Sequence, residues 1–299
     1  VSRGKASLRD GIVVLDKGAG MTSQDAVRAV MRRTACGKAG HSGTLDKFAT
    51  GVLPVLCGRY TRLARFFMDG RKRYTAQIVF GALTDTLDPE GAIVAHGPLP
   101  ERDALERILP AFIGEIDQAP PAYSAIHIDG KRAHELARAG AAVEPASRKI
   151  MVHSLALRDY SQGRAILEVE CGPGTYVRSL ARDIAAALGT VAHLGALRRN
   201  RSAGFEEAEA LPLESLDPDS PSPFTFEMAR RIGLGAFTLS ADKVGDFIQG
   251  KSILPAAFRA LSDDTHEFQA IFELEGRLLG IVRGLPGKPE YVAVLGTAP

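Results

Sequence analysis

Tyr74, Ala76, Ile78 and Phe80 alternate with Thr75, Gln77 and Val79, and later in the chain Ala165, Leu167, Val169 and Cys171 repeat the pattern. A period of two sends successive side chains to opposite faces, so each stretch predicts a strand with one buried face. The second strand runs straight into Gly172-Pro173-Gly174 and then a helix, whose apolar positions Val177, Leu180, Ile184 and Leu188 keep helical spacing up to Gly189. Nearer the start, Gly11 to Leu15 is a short apolar strand. Thr22 and Ser23 then cap a helix carrying Val27, Val30 and Met31, which Gly37 should stop. Pro100 opens a third helix with Leu105, Ile108 and Leu109, and Pro110 should end or kink it.

A chain of 299 residues has room for about two domains. Residues 211–225 contain Pro212, Pro218, Pro221 and Pro223 among acidic and hydroxyl residues, the composition of a linker. Beyond it, the alternation from Phe268 to Glu275, a turn at Gly276 and the run Leu278 to Val282 predict a small β-rich module. Residues 1–10 read as a mobile basic arm, and residues 118–150 as an excursion from the fold. No apolar run approaches the roughly 20 residues of a membrane span, so the expected location is the cytoplasm. Cys36, Cys57 and Cys171 never form a C-x-x-C pair and read as buried small residues rather than as disulfides or zinc ligands.

The net charge of +2 hides an uneven distribution. Residues 1–80 hold fifteen Lys and Arg against five Asp and Glu, while residues 171–204 hold five arginines against Asp183 alone. If the fold joins these segments, they form a basic face suited to a polyanion, because neutralising phosphates releases condensed counterions.

Between Gly37 and Gly51 the chain loses its period and carries glycines at 37, 40, 43 and 51 around one carboxylate, Asp46. Glycine lets backbone approach a ligand closely, and irregular loops carry chemistry more often than packing. Read whole, Gly40-His41-Ser42-Gly43-Thr44-Leu45-Asp46-Lys47-Phe48-Ala49-Thr50-Gly51 resembles the signature of the TruB-type pseudouridine synthases, in which the aspartate is the nucleophile. Further elements resemble that family in the same order: Asp16 to Ser23; Lys72-Arg73-Tyr74; Gly81 with Thr84, Asp85, Thr86, Asp88 and Gly91; Gln118 to Ala125; Gly174 to Leu180; and Leu197-Arg198-Arg199. Lys47 and Gly18 stand where the family has proline, Pro173 where it commonly has lysine, and His127 and His134 where it has lysine and tyrosine.

The resemblance implies a mixed α/β fold: a pseudouridine synthase catalytic domain over residues 11–230 on a mixed sheet, with an RNA-gripping insertion at about 118–150, and a small C-terminal β-rich PUA-like RNA-binding domain over 236–299. It implies an isomerase acting on the T-loop uridine of tRNA, with the base flipped out, no cofactor, no metal, no obligate protein partner, no membrane, and a monomeric enzyme. Asp46, Tyr74 and Arg178 are the implied catalytic residues. Arg178 would keep Asp46 ionised and oriented, and Tyr74 would stack on the uracil. His41 would fill the vacated stack, Tyr176 and Leu197 would complete the uracil pocket, and Lys17 would support the site through its charge. Three rival readings remain: an RNA-folding chaperone, a synthase within a guide-RNA particle, and a hydrolase. The first is disfavoured by the joint presence of Asp46, Tyr74 and Arg178, the second by the short C-terminal module and the insertion, and the third by the want of a second carboxylate at suitable spacing.

Overall fold

In the computed structural model, which describes residues 10–123, 127–128, 131–132, 145–261 and 266–296, the two alternating stretches become adjacent antiparallel strands, Lys72–Phe80 and Arg164–Cys171. Tyr74 faces Val169 and Ala76 faces Leu167 across the pair, so the apolar faces coincide. The helix Val177–Ala187 places Val177, Leu180, Ala181 and Ile184 in one core with Ile78, Leu167 and Leu194. Full burial of side chains of this size is worth about 1.5–3 kcal/mol each, which fixes the helix to the sheet.

Around that pair a ten-stranded sheet runs in the order Leu211–Pro212, Gly11–Lys17, Thr50–Cys57, Ala192–Ser202, Lys72–Phe80, Arg164–Cys171, Arg148–Ser161, Gly114–Gln118, with Ala39–His41 and Phe205–Glu206 attached off this line. The sheet is mixed, as the resemblance implied. Ala192–Ser202 is antiparallel to Lys72–Phe80 along nearly its whole length, but parallel to Thr50–Cys57 at only two pairs, Arg198 with Thr50 and Arg199 with Gly51. Gly51 has φ +107°, and a Cβ there would lie 2.3 Å from the Arg199 carbonyl oxygen, so this seam closes only around glycine.

The helix Ser23–Thr34 packs Ala26, Val27 and Val30 against Val13, Leu15, Leu53 and Val55. Thr22 and Asp25 form a reciprocal capping box at its start. Its end differs from expectation: Ala35, at φ +53°, takes the left-handed position two residues before Gly37. The chain turns there so that Cys36 enters the core and Ala39–His41 pairs with Thr50–Cys57.

The proline-rich stretch is a strap rather than a free linker. Leu211 and Pro212 pair with Leu15 and Asp16 at the sheet edge. The Ile12 N–H donates to the Ser222 carbonyl at 2.8 Å, and the Ser222 N–H donates back at 3.0 Å. Leu216 and Phe224 are buried. Proline, which lacks an N–H, is tolerated at an edge because no further strand needs its donor.

Beyond the strap, a five-stranded sheet runs Phe258–Ala260, Gly235–Leu239, Phe268–Phe272, Leu278–Arg283, Glu290–Val294. One of its faces packs into the same core as Ile12, Leu56, Phe66 and Phe67, with Phe224 stacked 6.2 Å from Phe272 and edge-on to Phe67 at the same centroid distance. A continuous core therefore crosses the expected boundary at 230–236. The other face buries Phe237, Phe247, Ile271 and Leu279. Residues 1–9 and most of the expected insertion, including His134, lie outside the described residues; its feet, Gly114–Gln118 and Arg148–Ser161, are paired strands of the large sheet. Among the described residues no helix is long and apolar enough to cross a membrane.

Candidate active site

The loop bearing Asp46 leaves the sheet at the narrow seam beside Gly51 and is pinned from three directions. Ser23, at the first turn of its helix, donates its hydroxyl to the Leu45 carbonyl at 2.9 Å and accepts the Leu45 N–H at 2.8 Å. This serine therefore replaces one rung of backbone pairing. Lys17, fully buried at the end of strand Gly11–Lys17, donates to the carbonyls of Gly18 at 2.9 Å, Met21 at 2.8 Å and Lys47 at 3.4 Å. Arg199, also fully buried, donates to the carbonyls of Val52 at 2.8 Å and of Thr44 and Gly43 at 3.3 Å. A buried guanidinium persists only where its donors are matched, and here backbone carbonyls match them.

Held in this way, the Asp46 carboxylate meets Arg178 from the helix Val177–Ala187. The Arg178 Nη2 donates to Asp46 Oδ1 at 3.0 Å and to the Tyr123 carbonyl at 3.1 Å, while Nη1 donates to the Thr86 carbonyl at 3.0 Å and to Asp88 Oδ2 at 3.4 Å. One buried guanidinium is thus shared by two carboxylates. Asp88 is anchored in turn by the Thr86 hydroxyl at 2.6 Å and the Glu90 N–H at 3.0 Å. Asp46 retains 31% of its side-chain surface, against 8% for Asp88, so Asp46 is the carboxylate that solvent or a substrate can reach. Burial raises the Asp46 carboxyl above its ordinary range; Arg178 and Lys17 oppose that shift and the Asp88 charge adds to it.

Tyr74 is buried beside Arg199, its cross-strand neighbour, and burial pushes its phenol up to about 12. A phenol held there is a weak base near neutrality and an apolar wall with a polar tip. Burial lowers the Lys17 ammonium to about 8 although the Asp46 charge acts to raise it. His41 lies in the short strand Ala39–His41 with its Nδ1 accepting the Gly43 N–H at 3.3 Å, and burial followed by the Arg199 charge lowers its pKa. Tyr176 precedes the helix and is fixed by Gln118, whose Oε1 accepts the Tyr176 N–H at 2.8 Å and whose Nε2 donates to the Tyr176 carbonyl at 3.2 Å. Leu197 is buried in the same core as Leu45 and Tyr74.

Arg178 therefore contacts Asp46 directly and Lys17 acts on it through charge, while Tyr74 and Leu197 lie in the same core as Leu45. Two residues of the site are not evident from their sequence neighbours. Asp88, part of a turn motif in sequence, is the second carboxylate on Arg178, and Arg199, part of a basic run, is internal. The basic face is also less positive than the charge count implied: Arg73 pairs with Glu206 at 2.7 Å, Arg198 with Asp16 at 3.0 Å and Glu207 at 3.1 Å, and Arg201 with Glu206 at 3.4 Å. Glu206 and Glu207 sit just past the basic segment 171–204, where a segmental count excludes them, and Asp16 is brought to Arg198 from the other end of the chain.

The arrangement is an accessible carboxylate backed by an oriented guanidinium and an aromatic wall, suited to nucleophilic attack. The family model described as TruB family pseudouridylate synthase (N terminal domain) matches residues 30–177, and that described as tRNA pseudouridylate synthase B C-terminal domain matches residues 178–219. The tRNA pseudouridine synthase B of Bradyrhizobium diazoefficiens is 48% identical over 209 residues, covering 69% of this chain and 61% of the relative, so the chain spans about three-fifths of that protein's length. The protein of the same name from Gluconacetobacter diazotrophicus is 38% identical over 294 residues, 93% of this chain and 90% of the relative. A chain in the solved structure of an H/ACA RNP bound to a substrate RNA containing 2'-deoxyuridine has the same fold, with a TM-score of 0.71 at 22% identity, covering 95% of this chain and 83% of that one.

Proposed function

The chain belongs to the TruB family of pseudouridylate synthases, and from that premise we propose that it converts the T-loop uridine of tRNA conventionally numbered 55 to pseudouridine, with Asp46 as nucleophile. The reaction is an isomerisation: the C1′–N1 bond breaks, the uracil turns, a C5–C1′ bond forms, the C5 proton leaves and N1 gains one. A carboxylate that attacks C1′ or C6 holds one fragment covalently while the base turns. The observation that carries this reading is the 3.0 Å contact between Arg178 and the one reachable carboxylate, Asp46. It opposes the upward shift that burial imposes on this aspartate, so it favours the carboxylate form and aims it.

The other residues take supporting roles. Tyr74 stacks on the flipped uracil, with Leu197 and Tyr176 closing its pocket, because a phenol pushed up to about 12 serves better as a surface than as a base. Extruding a stacked nucleotide costs a few kcal/mol, and His41, kept neutral by its surroundings, is suited to fill the gap. Lys17 holds the loop carbonyls and adds positive charge near Asp46. The C-terminal segment 236–299 serves as a PUA-like RNA-binding domain, and the enzyme acts alone as a cytoplasmic monomer. Incubating the protein with an unmodified tRNA transcript and mapping pseudouridine tests the assignment. Pseudouridine at the T-loop position is the expected result; a transcript left unmodified, or modified only elsewhere, overturns it.

A further inference from the structure

The cations lying against the Asp46 loop are nearly all committed to protein oxygens. Arg178 serves two carboxylates and two carbonyls, and Arg199 and Lys17 three carbonyls each. Lys72, whose Cε would be 3.9 Å from a Cβ at Gly43, donates to the carbonyls of Met68 and Gly70 at 2.8 Å. Lys47 is different. Its ammonium is half-exposed and 3.1 Å from Glu90, itself half-exposed.

Its backbone is fixed although its tip is held only by an exposed ion pair. The Lys47 carbonyl accepts the Gly20 N–H at 2.9 Å and the Lys17 ammonium at 3.4 Å, so the backbone from which the side chain rises is immobilised next to the nucleophile. Glu90 follows Asp88 in the turn that grips Arg178. An ion pair between two half-exposed side chains is weak, since water screens it and ordering both chains opposes it, so another anion can displace the carboxylate. The family signature that this segment resembles has an uncharged proline where this chain has Lys47.

We propose that Lys47 contacts a backbone phosphate at the target nucleotide, with Glu90 as the counterion that the phosphate displaces. This rests on the reading of the substrate as RNA given above. A phosphate one or two bonds from the reacting sugar must pass close to the nucleophile, and among the described residues Lys47 is the cation beside it with a replaceable partner. Each phosphate neutralised by the protein adds counterion release to the salt dependence of binding.

The test is the affinity for an unmodified tRNA transcript across a salt series, for the wild type, Lys47→Gln, Lys47→Arg and Glu90→Gln. Lys47→Gln should bind more weakly and flatten the plot of log K against log salt by about 0.7, the increment for one single-stranded phosphate. Lys47→Arg, which keeps the charge, should restore the wild-type slope. Glu90→Gln should bind more tightly, because Lys47 no longer has to leave a partner. An unchanged slope in Lys47→Gln overturns the proposal, and so does weakened binding in Glu90→Gln, the mark of a pair that only braces the loop. Pseudouridine mapping with the wild type keeps the two readings apart: absent product sinks the proposed reaction, whereas product with an unchanged Lys47→Gln slope sinks only the phosphate contact.

Discussion

From Gly43 to Lys47 the chain is held by donors that reach its carbonyls from Lys17, Ser23 and Arg199, whereas the sheet spanning Gly235 to Val294 is held by packed side chains such as Phe237, Phe247, Ile271 and Leu279. Hydrogen bonds are directional, so losing a donor at the loop moves the carboxylate. Apolar packing is not directional, so losing a ring in the sheet costs stability while leaving the geometry of a distant site alone. In this protein, precision and stability are concentrated in different regions.

The sharpest way to break that contrast is Asp46→Asn. It removes the proposed nucleophile but not the surfaces proposed to meet RNA, so pseudouridine formation should fall below detection while tRNA affinity is largely retained, measured by single-turnover assay and filter binding. Arg178→Lys keeps the charge but cannot span Asp46, Asp88 and two carbonyls at once. Disrupting a buried charge network costs about 3–5 kcal/mol, so the single-turnover rate should drop by roughly two to four decades if the loss appears in the transition state. A near-normal rate in that variant would reduce Arg178 to a local charge.

Phe272→Ala tests the other side of the comparison. Phe272 is buried and stacks on Phe224, so unfolding by denaturant should show a loss of about 3–5 kcal/mol. The rate per folded molecule should change little, and a proportionate fall in rate would mean that the C-terminal sheet also sets the active-site geometry. The shared core also argues against deleting residues 236–299 as a clean test of RNA binding, since the deletion would bare Phe67 and Phe224.

The smallest effect lies in the pH profile. The proposed mechanism needs Asp46 as carboxylate, and burial raises its pKa, so the rate should climb with pH through an apparent pKa above the ordinary value of about 4. A base limb near 8 is expected as Lys17 loses its proton and the charge that favours the carboxylate. Stability runs the opposite way through the acid window: a carboxyl whose folded pKa is raised binds more protons folded than unfolded, so stability falls as pH rises between the two values. Asp46→Asn should flatten that slope, measured by denaturant unfolding across the window.

Much of this was legible in the sequence. The period-two stretches at 74–80 and 165–171 and the helix after Gly174 appear where their periods place them, because burying one face is a local property. The glycine-rich segment around Asp46 marked the site, and matching it to the segment at 174–180 paired Asp46 with Arg178. The errors share one cause. Asp88 in a turn, Arg199 in a basic run and Phe224 in a proline-rich stretch each look ordinary beside their sequence neighbours. Their roles come from partners far along the chain: Arg178 for Asp88, Gly43 and Val52 for Arg199, Phe67 and Phe272 for Phe224.

Spacing and residue type over short stretches are enough for the strands at 11–15, 74–80 and 165–171, for the helices after Thr22 and Gly174, for the carboxylate in a glycine-bounded loop and for the family resemblance. They do not reveal the central strands Thr50–Cys57 and Ala192–Ser202, the guanidinium that Asp46 shares with Asp88, the internal brace of Arg199, or the core common to the C-terminal sheet and the large one. The physical reason is that a charge takes its meaning from whatever lies within a few ångströms of it, and that distance is set by folding, not by position along the chain.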